Sequence, residues 1–97
     1  MLFGATDDQI RKALVFLAVE NILLEMGKPV LEKVTSDLFV KYHCYIPDCY
    51  EKPEYLKKIL IDLFGNAHME IVEKIQNRLQ GFSKQKSIKQ FLEVISH

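Results

Sequence analysis

Residues 6–29, TDDQIRKALVFLAVENILLEMGKP, decide the fold class of this chain. Thr6 and Gln9 have the spacing of a capping box, in which the Thr6 hydroxyl accepts from an early backbone N–H and Gln9 reaches back. A helix therefore starts there. Ile10, Ala13, Leu14, Leu17, Ile22 and Leu24 follow at helical intervals, and Gly27 with Pro29 supplies the stop. Val15, Phe16, Val19 and Leu23 fill the remaining sides, so the helix is apolar almost all round. A helix of that kind belongs at the centre of a fold or inside an oligomer.

The pattern repeats outward from this helix. Pro29 suits a first helical turn, and Leu31, Val34, Leu38 and Tyr42 recur on one face of a second helix ending about Tyr42. His43 to Lys52 shows no helical period and is expected to be a loop of about ten residues, long enough to carry function. Pro53 and Glu54 open a third helix with the stripe Leu56, Ile59, Leu60, Leu63 and Phe64, ended by Gly65. Asn66 is placed to cap a fourth helix bearing Ala67, Ile71, Val72, Ile75 and Leu79, which Gly81 stops. Ser83 or Ser87 is placed to cap a last helix carrying Ile88, Phe91, Leu92 and Ile95. No strand pattern, internal repeat or low-complexity segment is present. The expectation is an all-α chain: a compact orthogonal bundle of four to five short helices around a central apolar first helix. It forms one domain over residues 1–97, with residues 1–5 a flexible N-terminus.

Composition narrows the function classes. The 97 residues are 48% hydrophobic and 27% charged with only four Gly and three Pro, which is a foldable globular composition. Thirteen basic residues balance thirteen acidic ones, so no net field draws the chain to nucleic acid or an anionic membrane. The longest apolar run, Ala13 to Val19, is far short of the roughly 20 residues of a membrane span. Asp7 and Asp8 precede it where a signal peptide would be basic. Two cysteines suit thiols in a reducing compartment. The chain reads as cytoplasmic.

Four candidate chemistries follow from the residues. His43, Cys44 and Cys49 lie close in sequence, and His68 would complete four soft zinc ligands. Their spacing is not that of a zinc knuckle, so the set is a weak metal candidate and no cofactor is expected. The third and fourth helices around Gly65 resemble a helix-turn-helix in spacing. The second of them, however, offers Ala67, His68, Met69, Glu70 and Glu73 where base-reading residues belong, and bulky Ile61 stands where a small residue is needed. Nucleic acid is therefore disfavoured. The aromatic cluster Tyr42, Tyr45, Tyr50 and Tyr55 suits a partner surface or ligand pocket, because tyrosine combines apolar area with a polar tip. Lys84, Lys86 and Lys89 form a modest basic cluster that opposes the last helix's macrodipole, which makes that helix a candidate for fraying. No phosphate loop, nucleophile elbow or acid–histidine constellation points to an enzyme.

The run Ile10-Arg-Lys-Ala-Leu14, then Gly27-Lys-Pro-Val30, Ile46-Pro-Asp48, Pro53-Glu54 and Leu63-Phe-Gly65 with Ala67 and Ile71, resembles a family of small all-helical domains. These are the nitroso-type output domains of ammonia-oxidising archaea, whose function is unknown. The resemblance spans about residues 10–79 and implies a helical fold and a role in signal output, with no catalytic or binding residues to carry over. The expected function is a small, non-catalytic regulatory or signalling module acting by protein–protein contact, including contact with a second copy as a homodimer. Alternatives are a transcriptional regulator binding nucleic acid through helices 3 and 4, or a small-ligand sensor near the tyrosines.

Overall fold

A computed structural model describes residues 7–82 and 84–96. Within them the periodic stretches form five α-helices: α1 Asp7–Glu25, α2 Lys28–Tyr42, α3 Pro53–Phe64, α4 His68–Arg78 and α5 Lys86–Ser96. No strand occurs among the described residues. The expected flexible stretch 1–5, the Thr6 end of the first capping box and the proposed Ser83 cap lie outside the described residues.

Two glycines make the turns their positions promised. Gly27 has φ 127° between α1 and α2, and Gly65 has φ 56° at the end of α3. Both values favour a residue without Cβ. Three local expectations need correction. The stretch after α2 is not an irregular loop, because Ile46–Tyr50 winds into a 3₁₀ turn. It is started by Pro47 and fastened by the Asp48 carboxylate, which accepts from the Tyr45 N–H at 2.9 Å. Asn66 does not cap α4. A 3₁₀ turn, Gly65–Ala67, runs directly into that helix, so its backbone carbonyls satisfy donors that a side-chain cap would otherwise take. Ser87 is likewise no cap, since it lies inside α5.

The core collects one face of each helix. Val15, Ala18, Val19, Ile22 and Leu23 of α1 meet Val34 and Leu38 of α2, Leu56, Ile59 and Leu60 of α3, and Ile71, Val72 and Ile75 of α4. Ile88, Phe91, Leu92 and Ile95 of α5 complete it, packing mainly on α3. The last helix is therefore docked along its whole apolar face, whatever its N-terminal lysines cost it. Helix α1 touches α2, the Ile46–Tyr50 turn, α4 and α5, and is central in that sense. Its other side is open, with Ile10 50%, Leu17 49% and Leu24 47% exposed. No described helix is long and apolar enough to cross a membrane.

Candidate interaction surface

The end of α2 is closed by a left-handed residue that is not glycine. His43 adopts φ 54°, the one non-glycine residue with positive φ among those described. Histidine is tolerated in this left-handed region better than most residues, but still with strain. Its N–H donates to the Phe39 carbonyl at 2.9 Å and closes the helix. The reversal sends the chain back across α2, so that Tyr45 comes to lie over Phe39. Their ring centroids are 5.6 Å apart, and the His43 ring meets Phe39 edge-on with centroids 5.8 Å apart.

These rings form a ledge facing outward. Tyr45 is 55% and Phe39 46% exposed, and neighbouring Val40 is 69% exposed. Beside the ledge runs a largely apolar crevice of about 310 Å³, lined by Phe16, Leu31, Thr35, Tyr45, Ile46 and Pro47 at its walls and Glu20 at its edge. A rigid aromatic rim next to an apolar slot can accept an aliphatic or aromatic side chain from another molecule. Two of the lysines of α2 are already engaged, Lys41 with Asp62 at 3.2 Å and Lys33 with Asp37 at 3.4 Å.

The other tyrosines are drawn apart from this ledge. Tyr42 and Tyr55 stack face to face with centroids 4.3 Å apart, half-buried against the core. Tyr50 is buried. Its phenol oxygen lies 2.8 Å from Asp8 Oδ1 and 2.7 Å from Ser87 Oγ. A carboxylate only accepts and the phenol has one proton, so Tyr50 donates to Asp8 and the Ser87 hydroxyl supplies its own proton to the phenol. One side chain thereby ties the 3₁₀ turn to the start of α1 and the start of α5. Next to it opens a groove of about 870 Å³, whose lining includes Asp8, Glu51, Glu54, Lys57, Phe91 and Glu93.

The predicted metal candidates do not converge. Among the described residues no three of His, Cys, Asp and Glu could hold an ion together. His68 sits at the start of α4, with Nδ1 2.7 Å from the Gly65 carbonyl, while His43 is spent on the ledge. Cys44 and Cys49 are buried neighbours with free thiols. Burial pushes the Cys49 thiol well above its usual range, reinforced by Cys44, Asp48 and Glu54. Cys44 is raised by burial and by Asp48, and lowered in part by its hydrogen bond with Cys49. Thiols held protonated in this way are poor ligands and poor nucleophiles.

The lysine cluster and the outer side of the α3–α4 unit face solvent. Lys84, Lys86 and Lys89 are exposed. In the α3–α4 unit, Ile61 is 39% and Met69 49% exposed, with Glu70, Glu73, Lys74 and Asn77 along the outer side of α4. That face mixes charge signs rather than presenting a basic stripe. Phe39, the ledge's centre, was invisible as a functional residue in sequence because it reads as one more apolar position of an amphipathic helix. Only its pairing with Tyr45 across the turn reveals it. No family model, curated protein or solved structure matches the chain.

Proposed function

We propose that the protein is a non-catalytic regulatory or signalling interaction module that binds a protein partner at the Phe39–His43–Tyr45 ledge and its adjoining crevice. The observation that carries this reading is the pair of tilted, half-exposed rings in contact over a strained turn. Tyrosine and phenylalanine are enriched at interface centres, because they bring large contact area at low entropic cost. His43 holds a left-handed conformation at this exposed aromatic turn, and strained backbone of that kind clusters at binding sites. The partner's chemistry follows from the slot: an apolar side chain flanked by groups that tolerate Glu20 at the edge.

Nucleic acid also stacks on aromatic rings, but it needs a basic track beside them. Here Lys33 and Lys41 are ion-paired, which favours protein over nucleic acid. The test is affinity capture from native extract with the wild-type chain, a Phe39→Ala/Tyr45→Ala variant and a Lys84→Ala/Lys86→Ala/Lys89→Ala variant. A protein retained by the wild type and the lysine variant but lost by the ledge variant supports the reading. A salt-sensitive nucleic-acid complex indifferent to the ledge variant overturns it.

A second reading, sensing of a cationic small ligand, is favoured by the groove beside Tyr50, whose lining holds four carboxylates against one lysine. Its volume falls within the range of about 300–1,000 Å³ usual for ligand pockets. Ligand-induced thermal stabilisation abolished by Glu54→Gln/Glu93→Gln would favour it over the ledge.

A further inference from the structure

The open side of α1 carries a pattern of its own. Ile10, Leu14, Leu17, Asn21 and Leu24 are spaced four, three, four and three residues apart, which is the a/d seam of a heptad repeat with Ile10, Leu17 and Leu24 at d and Leu14 and Asn21 at a. The positions opposite the seam are those buried in the protein's own core, among them Val15, Val19, Ile22 and Leu23. Helix α1 thus has two apolar faces, one spent on the fold and one exposed. Along the exposed one runs a shallow hollow of about 180 Å³ lined by Leu14, Leu17, Asn21 and, from the α4 end, Arg78 and Phe82.

We infer that this seam is a dimerisation surface whose occupant is α1 of a second copy of the chain, packed parallel and in register. Asn21 selects that occupant. An asparagine in an otherwise apolar seam is satisfied across the interface by another asparagine at the same level, which a second copy provides only when the two helices run parallel and unshifted. An antiparallel arrangement that pairs a with d sets Asn21 against Ile10 and Leu24 against Asp7, leaving a polar group unmatched.

The flanking charges fit the same arrangement. In register, Glu20 of one copy approaches Glu25 of the other, a repulsive pair by itself. Glu25 is already held by Arg78 at 2.6 Å, which puts a guanidinium where the incoming Glu20 arrives. Ala13, exposed on one flank, is small and lets the helices approach, while Ala18 on the other is buried in the protein's own core. The area sets the strength. A strip about 28 Å long and about 11 Å wide, the footprint of one 19-residue helix, falls short of the roughly 800 Å² per partner of a standard interface. The dimer is therefore weak and concentration-dependent. This surface meets the crevice beside the Tyr45 ledge at Glu20, but neither inference needs the other.

Sedimentation equilibrium of the intact chain over a micromolar to millimolar series tests it, with circular dichroism as the fold control. The wild type is expected to show a monomer–dimer equilibrium. Leu17→Glu, at an exposed position that the monomer fold does not need, is expected to weaken association about a hundredfold or more by setting two carboxylates face to face. Ile10→Lys, a second exposed seam position, is expected to do the same. Asn21→Cys under mild oxidation is expected to give a dimer linked 21 to 21 by peptide mapping. A folded wild type that stays monomeric throughout overturns the inference. So does a dimer that survives both Leu17→Glu and Ile10→Lys, or one in which the Asn21→Cys variant gives no 21–21 link.

Discussion

Replacing Tyr50 by phenylalanine isolates the contribution of one oxygen atom to the docking of α5. The ring is buried and keeps its packing in Tyr50→Phe, so the change removes only the contacts of the phenol with Asp8 and Ser87. A hydrogen bond to a charged group contributes about 1.5–3 kcal/mol when dry. Asp8 is not dry: its side chain is 62% exposed, and water replaces the phenol there at little cost. Ser87 is half-buried and recovers less. The expected net loss is about 1–2 kcal/mol, toward the lower end because of Asp8. In a chain this short, each kcal/mol moves the melting temperature by about 4–8 °C. Urea denaturation gives the equilibrium value, and amide exchange in residues 86–96 reports whether the loss falls on α5 opening. A double-mutant cycle with Ser87→Ala should show a coupling of about 0.5–1 kcal/mol, since the two side chains share one contact. A loss below about 0.5 kcal/mol, or a cycle with no coupling, would refute the claim that Tyr50 clamps the last helix.

Other perturbations test other parts of the account. His43→Gly removes the cost of a left-handed histidine and should stabilise the domain by about 0.5–1 kcal/mol while loosening the ledge; a destabilised variant in thermal melts would show that the His43 ring contributes more than its backbone costs. Phe91→Ala, at a site 1% exposed between α5 and α3, should cost about 3–5 kcal/mol by cavity formation. That is a large part of the 5–15 kcal/mol typical of a domain, so a midpoint in urea close to the wild type's contradicts the packing described. The raised thiols give a pH dependence. The folded state favours protonated Cys44 and Cys49, so their contribution is whole below about pH 8.5, the unfolded value. It declines as pH rises above that point and the unfolded chain ionises first. Urea midpoints measured from pH 7 to 10 should fall more steeply for the wild type than for Cys44→Ala/Cys49→Ala, and parallel slopes would remove the argument.

How much of this was legible in the sequence depends on which physical signal carried each feature. Periodicity near 3.6 marked all five helices, because each must bury a stripe, and Gly27 and Gly65 announced their turns through conformations that other residues resist. The 3₁₀ turn at Ile46–Tyr50 was missed because five residues are too few for a period. The usable signal was there, in Pro47 followed by Asp48 at capping distance from the Tyr45 N–H. Asn66 misled for the opposite reason, since a strong capping residue is redundant where a 3₁₀ turn feeds the helix directly. The site shows the deeper limit. Four tyrosines close in sequence read as one cluster, yet the fold gives them three roles: a clamp at Tyr50, a stacked pair at Tyr42 and Tyr55, and an outward ring at Tyr45. Composition fixes how much aromatic surface exists, whereas the left-handed turn at His43, which is only one of three histidines that could adopt it, decides which ring faces solvent. The same holds for α1. Read as a sequence it is apolar all round, and only burial separates the face its own core uses from the heptad seam left over. The inference of a second α1 rests on the phase of those left-over residues, with Ile10, Leu17 and Leu24 one heptad apart.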